Sequence, residues 1–392
     1  MASVKTESRN MAADLLRCLA FLFVVCVHFF QKTGFYQQTV YSNKMFVMLV
    51  LRALVICCVP MFMTLSGYLL RTKELSKRYF KKIGKIYFSY FLASCACAVF
   101  AVVKLGENIS FKDFVYGVLE FTAAPYSWYI EMYLGLFFLI PFLNILYNNI
   151  PTKKWKLTFV LILAGISFLP AVVNVYSFDS LSWWTSPTSA GEIVEFLPNW
   201  WSTVIYPLAY YFLGCYLNEY PIRLNKWVNL FLIGYSVFAT GAYNFWRSYG
   251  EKFVWGFWTH YYSLFTFIIT ALVFIFFINR NYEKVPAVLK KGFAKVSALC
   301  LNAYLVSSIF DELFYPYLKD HVADVQDRFI YFFLMVPLVA LCSLALSDAL
   351  NLVQEALTIL WNESVSGLKK RLLKKKKATD PQEEAEQLPN GE

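Results

Sequence analysis

Ten apolar runs, each long enough to cross a lipid bilayer, fall near 12–30, 45–70, 84–103, 127–148, 156–173, 201–217, 227–246, 259–279, 296–315 and 329–353. In hydrocarbon a segment must satisfy its own backbone N–H and C=O groups, so runs of this kind fold as helices. The expected fold class is all-α: a polytopic membrane protein of about ten transmembrane helices over 12–353. A short cytoplasmic segment, 1–11, precedes them, and a basic and then acidic tail, 354–392, follows. With 58% hydrophobic residues the chain is too apolar for a soluble fold. The first run carries charges and no small-residue cleavage site follows it, so it is expected to stay in the mature protein.

Charge placement sets the expected orientation. With the N-terminus inside, the cytoplasmic segments hold 26 Lys/Arg and the outer ones eight, leaving Arg17 and Arg52 within runs. That asymmetry predicts N-in, C-in. The net charge of +10 is thereby a topology signal, and no nucleic-acid partner is needed to explain it. The Arg71–Lys85 segment is either a solvated positive-inside loop or a site for a polyanionic cofactor. Lys374–Lys377 can touch anionic headgroups, and the polar tail from Ala378 is expected to be disordered. The nine cysteines lie in apolar runs without metal-ligand spacing, so neither a disulfide framework nor a metal site is expected.

Within the first run, Arg17 and His28 are ionisable residues where ionisable residues are costly. They are eleven residues apart. On a helix that is three turns plus roughly 20°, which puts both on one face about 16 Å apart along the axis. Asp14 joins Arg17 at i−3. The structural alternative is an Arg17 that snorkels to the inner headgroups with His28 in the outer interface. Functionally, imidazole is a general base and the guanidinium fork suits phosphate, so the pair fits a ligand charged at one end and reactive at the other.

The second run adds Arg52 toward its outer end, Pro60 at mid-depth, and Ser66-Gly67 ahead of Arg71. Pro60 frees the carbonyl of Ile56 and kinks the helix, while Ser66 and Gly67 serve either a ligand or close helix packing. In the fourth run Glu131 follows Trp128, and it needs Arg52 or His28 as partner or else must face water. In the ninth run Asp311 and Glu312 point about 100° apart, so at most one faces a site. The outer connection from Asn174 to Trp200 carries Trp183, Trp184, Trp200, Pro187, Pro198, Glu192 and Glu195. Its aromatics either float at the interface or stack on sugar rings.

These residues carry a resemblance. The Arg17-x10-His28 pattern, the stretch from Pro60 through Ser66-Gly67-Tyr68 to Leu70 followed by Arg71 and KRYFKKIGKIY, and the Trp128-Tyr129-Ile130-Glu131 opening of the fourth run resemble the acyltransferase 3 family. That family comprises bacterial multi-spanning membrane O-acyltransferases, and the resemblance covers roughly 12–350. It implies transfer of an acyl group, often acetyl from acetyl-CoA, to a hydroxyl of a cell-surface glycan or lipid-linked saccharide, in the bacterial cytoplasmic membrane. It carries over Arg17 and His28 as the essential pair, with Ser66, Gly67 and Arg71 closing the second-run motif. Relatives that end Tyr-Leu-(Ile/Val)-His are matched here by Tyr304-Leu305-Val306-Ser307, so a second histidine role has no support.

On this reading Arg17, helped by Arg71 and Arg78, holds the phosphates of acyl-CoA, and His28 deprotonates the acceptor. Asp14, Arg52, Glu131, Trp128 and Asp311 stand as supporting or acceptor-side residues. Direct transfer and an acyl-enzyme on His28 or Ser66 are both open. The alternative function is a transporter or flippase of polysaccharide export, with charges lining a path.

Overall fold

The computed structural model describes residues 10–174, 197–198 and 200–379. Among these a helix lies at each position where an apolar run was expected. We label them α1 (Met11–Lys32), α2 (Asn43–Val55), α3 (Cys58–Leu70), α4 (Lys77–Phe100), α5 (Phe111–Leu119), α6 (Trp128–Asn148), α7 (Lys153–Phe168), α8 (Trp200–Glu219), α9 (Lys226–Ser248), α10 (Leu264–Ile278), α11 (Ala287–His321) and α12 (Phe332–Thr379). α2 and α3 together make the second run, and α5 is a short helix in a connection where none was expected. Among the described residues six stretches are long and apolar enough to cross a membrane: Met11–Lys32, Asn43–Leu70, Lys77–Leu105, Trp128–Asn148, Ala287–His321 and Val325–Glu363. The others fall short for visible reasons. α7 has 16 residues and α10 only 15, while α8 and α9 are rich in Trp, Tyr, Ser and Asn. The chain is thus an all-helical, multi-pass membrane protein.

Local sequence starts these helices. Asn10, Ser42, Ser76, Thr152 and Ser263 each accept a backbone N–H from the first turn of α1, α2, α4, α7 and α10. α5 opens on a reciprocal box between Ser110 and Asp113. The kink expected at Pro60 is a full break at Ile56 and Cys57. Pro60 sits on the first turn of α3, where its missing N–H costs nothing, and the Cys58 thiol lies 3.8 Å from the carbonyl of Ile56. α12 runs on through Lys374–Lys377 to Thr379, further than the run that ended at 353. Trp183, Trp184, Pro187, Glu192 and Glu195 lie outside the described residues, as does the chain beyond 379; Trp200, on the first turn of α8, is exposed.

α1 stands inside the bundle, packed against α2, α3, α10, α11 and α12. α3 crosses α8 closely because both are glycine at the crossing. A Cβ at Gly67 would collide with the carbonyl of Tyr211, and one at Gly214 with the carbonyl of Thr64.

Candidate active site on the first helix

α1 and α11 run parallel, and polar pairs tie them along their length. Toward the start of both, Arg17 Nη1 donates to Ser297 Oγ at 2.5 Å and lies 3.7 Å from Asp14 Oδ1. Toward their ends, His28 Nδ1 lies 3.3 Å from Asp311 Oδ2, and Lys32 Nζ donates to Glu312 Oε1 at 2.5 Å. Of the two adjacent carboxylates it is therefore Asp311 that faces the histidine, and it is fully buried. Glu312 turns aside to Lys32.

A third residue completes the arrangement. Tyr126 Oη donates to Asp311 Oδ2 at 2.7 Å, and its ring lies over His28 with centroids 3.8 Å apart. The connection between α5 and α6 holds it there: Phe121 adopts a left-handed φ of 56°, and Ser127 Oγ donates to Ala124 O at 2.6 Å. Tyr304 of α11 donates its hydroxyl to the backbone carbonyl of Tyr126. The His28 and Asp311 atoms are within ion-pair distance but misaligned for a hydrogen bond, so His28 Nδ1 and Asp311 Oδ1 are buried atoms without one. His28 Nε2 likewise has no hydrogen-bond partner among the described residues. An imidazole backed by a carboxylate on one nitrogen and unengaged on the other is arranged to take a proton.

A cavity of about 370 Å³ opens on the same face of α1. Arg17 and Ser297 mark one part of its wall, Val24 another, and α3 contributes Ser66. Most of the wall is apolar, so it fits a slim chain with one anionic end. Tyr129 and Tyr133 also line it; Tyr133 is hydrogen-bonded to Ser66, while the Tyr129 hydroxyl makes no hydrogen bond with the described residues. Ser66 Oγ donates to Phe62 O at 2.9 Å on its own helix.

The remaining expected residues lie elsewhere. Gly67 faces α8 rather than the cavity. Arg71 points to the end of α8, where Nε donates to Asn218 Oδ1 at 2.7 Å and Nη1 to Glu219 Oε2 at 3.3 Å. Lys156 donates to both oxygens of Glu219 at 2.9 Å. Burial pushes the Glu219 carboxyl up, but the hydrogen bond and charge of Lys156, with Arg71 beyond, hold it below the ordinary carboxylate value. Arg78 is exposed on the first turn of α4. Glu131 is also exposed on the surface of the structure, with neither Arg52 nor His28 as partner. Trp128 stacks on Tyr261 at 5.9 Å. Arg52 is buried among aromatic rings on the opposite side of the break between α2 and α3.

Sequence reading missed Tyr126, Ser297, Tyr129 and Tyr133. Tyr126 belongs to a connection without periodicity and is one of 27 tyrosines. Ser297 carried a weak signal, one small polar residue at the opening of an apolar run.

Neither a protein of curated function nor a solved structure matches this chain. The sequence model of the acyltransferase domain family matches residues 11–348, which takes in α1 through about the first third of α12. The chain belongs to that family, as the Arg17-x10-His28 and Ser66-Gly67 patterns implied, and it is a multi-pass membrane acyltransferase.

Proposed function

We propose that this enzyme is an O-acyltransferase of the bacterial cytoplasmic membrane that moves an acyl group, most simply acetyl from acetyl-CoA, to a hydroxyl of a cell-surface glycan or lipid-linked saccharide. The reading includes ten spans with both ends cytoplasmic. What carries it is one stripe of α1, which presents Arg17 beside an apolar cavity and, about three turns on, His28 backed by Asp311. The parallel course of the first and ninth spans, α1 and α11, is what a ten-span arrangement requires.

Acyl-CoA approaches from the cytoplasmic side, and the Arg17 fork takes an oxygen of its phosphates or pantetheine arm. Volume supports only the arm and acyl group entering, leaving the nucleotide at the mouth near the basic Arg71–Lys85 segment. The acceptor hydroxyl comes from the other side. His28 Nε2 takes its proton while the oxygen attacks the thioester carbonyl, and Asp311 stabilises the imidazolium that forms. The unengaged hydroxyl of Tyr129 is a donor for the oxygen that gains charge. The CoA thiolate then leaves with the proton His28 has held. Because the Ser66 proton is committed to Phe62 O, the direct route needs fewer rearrangements than an acyl-serine.

The test is the ester content of surface glycan in a deletion strain complemented with wild-type protein or with His28→Ala. Restoration by wild type alone is the expected result, and full acylation with His28→Ala refutes the assignment. Loss of exported glycan, rather than of its esters, would instead point to a transporter.

A further inference from the structure

A second cavity, of about 370 Å³, lies beyond the histidine on the same side of α1. Val27 and Gln31 line it from α1, and Arg52 and Ile56 from the end of α2 and the break that follows. Its roof is the connection between α9 and α10, which brings Trp255 and His260. That connection is tied to the one between α1 and α2: Val40 N donates to Glu251 O at 2.8 Å, and Gly250 N to Val40 O at 2.8 Å. No residue lines both this cavity and the one beside Arg17. Val24 belongs to the first and Val27 to the second, less than one turn apart, and His28 is the next residue on α1.

Arg52 is the unusual group. Only 1% of it is exposed, yet it pairs with no carboxylate among the described residues. Nε donates to Tyr36 Oη at 3.0 Å and Nη2 to Thr259 O at 3.2 Å, while Nη1 has no partner among the described residues. The guanidinium lies 4.5 Å from the Phe253 ring, 5.4 Å from Tyr36 and 5.5 Å from Trp255. Rings offset part of the cost of burying a cation, but they leave its charge uncompensated. Other buried cations are better satisfied: Lys156 has Glu219, and Arg328 donates from all three of its nitrogens to backbone carbonyls. Around Arg52 the rest of the wall suits a hydroxyl-rich body. Trp255 is half exposed as a flat platform, and the amides of Gln31 and Gln37 are exposed at the rim.

We infer that this cavity is the acceptor site and that it takes an anionic saccharide, whose carboxylate or phosphate pairs with Arg52 while a sugar ring stacks on Trp255. The identification of the occupant as acceptor rests on the acyl-transfer reading above; the preference for a negative charge rests on Arg52 alone. A charge-assisted bond to a buried guanidinium gives about tenfold discrimination or more over a neutral sugar.

The experiment uses the full chain in nanodiscs of phosphatidylcholine, titrated calorimetrically at pH 7 with methyl glucuronide, glucose 1-phosphate and methyl glucoside. Wild type is expected to bind at least one of the anionic sugars about tenfold more tightly than the glucoside, and the stronger one identifies carboxylate or phosphate as the partner. Arg52→Gln equalises the three. Trp255→Leu weakens all three together and keeps the preference for charge, which tests the site even where Arg52→Gln fails to fold. Equal binding of the three sugars by wild type, or a preference surviving in Arg52→Gln, overturns the inference. Loss of sugar binding in discs containing phosphatidylglycerol also overturns it, by assigning the cavity to a lipid headgroup. Acetyl-CoA binding is measured on the same samples. Its presence without charge preference sinks this inference alone, whereas its absence sinks the acyl-transfer reading and leaves the sugar result to stand or fall separately.

Discussion

Replacing Asp311 by Asn removes one charge, keeps the shape, and still offers an oxygen to Tyr126 Oη. In the wild type the carboxylate lies 3.3 Å from His28 Nδ1, where opposite charges attract by about 5 kcal/mol at an effective dielectric of about 20. That attraction exists only once the imidazole has taken the acceptor proton, so its loss falls on the transition state and not on substrate binding. If half of it is realised there, kcat falls by about 100-fold. The KM for acyl-CoA stays, because Asp311 does not line the Arg17 cavity. The assay is CoA thiol release by purified protein in proteoliposomes at saturating acceptor, with acyl-CoA varied and folding checked by thermal unfolding. A kcat within about threefold of wild type, with the protein folded, would show that His28 works without the carboxylate. A raised KM at constant kcat would place Asp311 in binding instead.

Three further outcomes follow from the same geometry. Arg17→Lys keeps the charge but loses the fork that holds Ser297 and faces the cavity, so the KM for acyl-CoA should rise about tenfold with unchanged thermal stability; equal KM values would end the donor role. Gly67→Ala places a Cβ 2.8 Å from the carbonyl carbon of Tyr211 and 3.1 Å from Cys215 N, both backbone atoms, so α3 and α8 must part. Overpacking of this kind costs about 1–3 kcal/mol or more, read as a lowered unfolding temperature in detergent, and an unshifted transition would contradict the close crossing. For Glu219 the folded carboxyl titrates below its unfolded value of about 4.3, so its contribution to stability is complete above that pH and is lost as pH falls through the lower folded value. Glu219→Gln should remove that acid-sensitive component of an unfolding profile, and an unchanged profile would mean the Lys156 and Arg71 contacts contribute nothing.

How much of this was legible in the sequence varied with the kind of interaction. Apolar period and length located every long helix, because the bilayer dictates both. The Arg17–His28 stripe was legible for the same reason, since helical spacing alone places two residues of one helix. Partner choice was not. That Asp311 and not Glu312 meets His28 depends on how α11 is rotated against α1, which the packing of Ser297, Phe293 and Cys18 determines at a distance. Gly67 read equally as ligand contact or packing residue, and its answer lay in Gly214, about 150 residues on, where α8 offers a matching gap. Arg52 was visible as an ionisable residue within a run, but its aromatic surroundings come from Tyr36 and from the 249–261 connection, two loop segments with no periodicity to read.

Val24 and Val27, less than one turn apart on α1, line two chambers that share no residue, and His28 follows them under the Tyr126 ring. A barrier built this way has an electrical consequence. On the acyl-transfer reading the acceptor oxygen must meet the thioester carbon beside His28, so an opening the size of two reacting atoms suffices and no continuous path for ions or water is needed. On that same reading, a cell would thereby modify its exterior from an interior supply without discharging the gradients that power it.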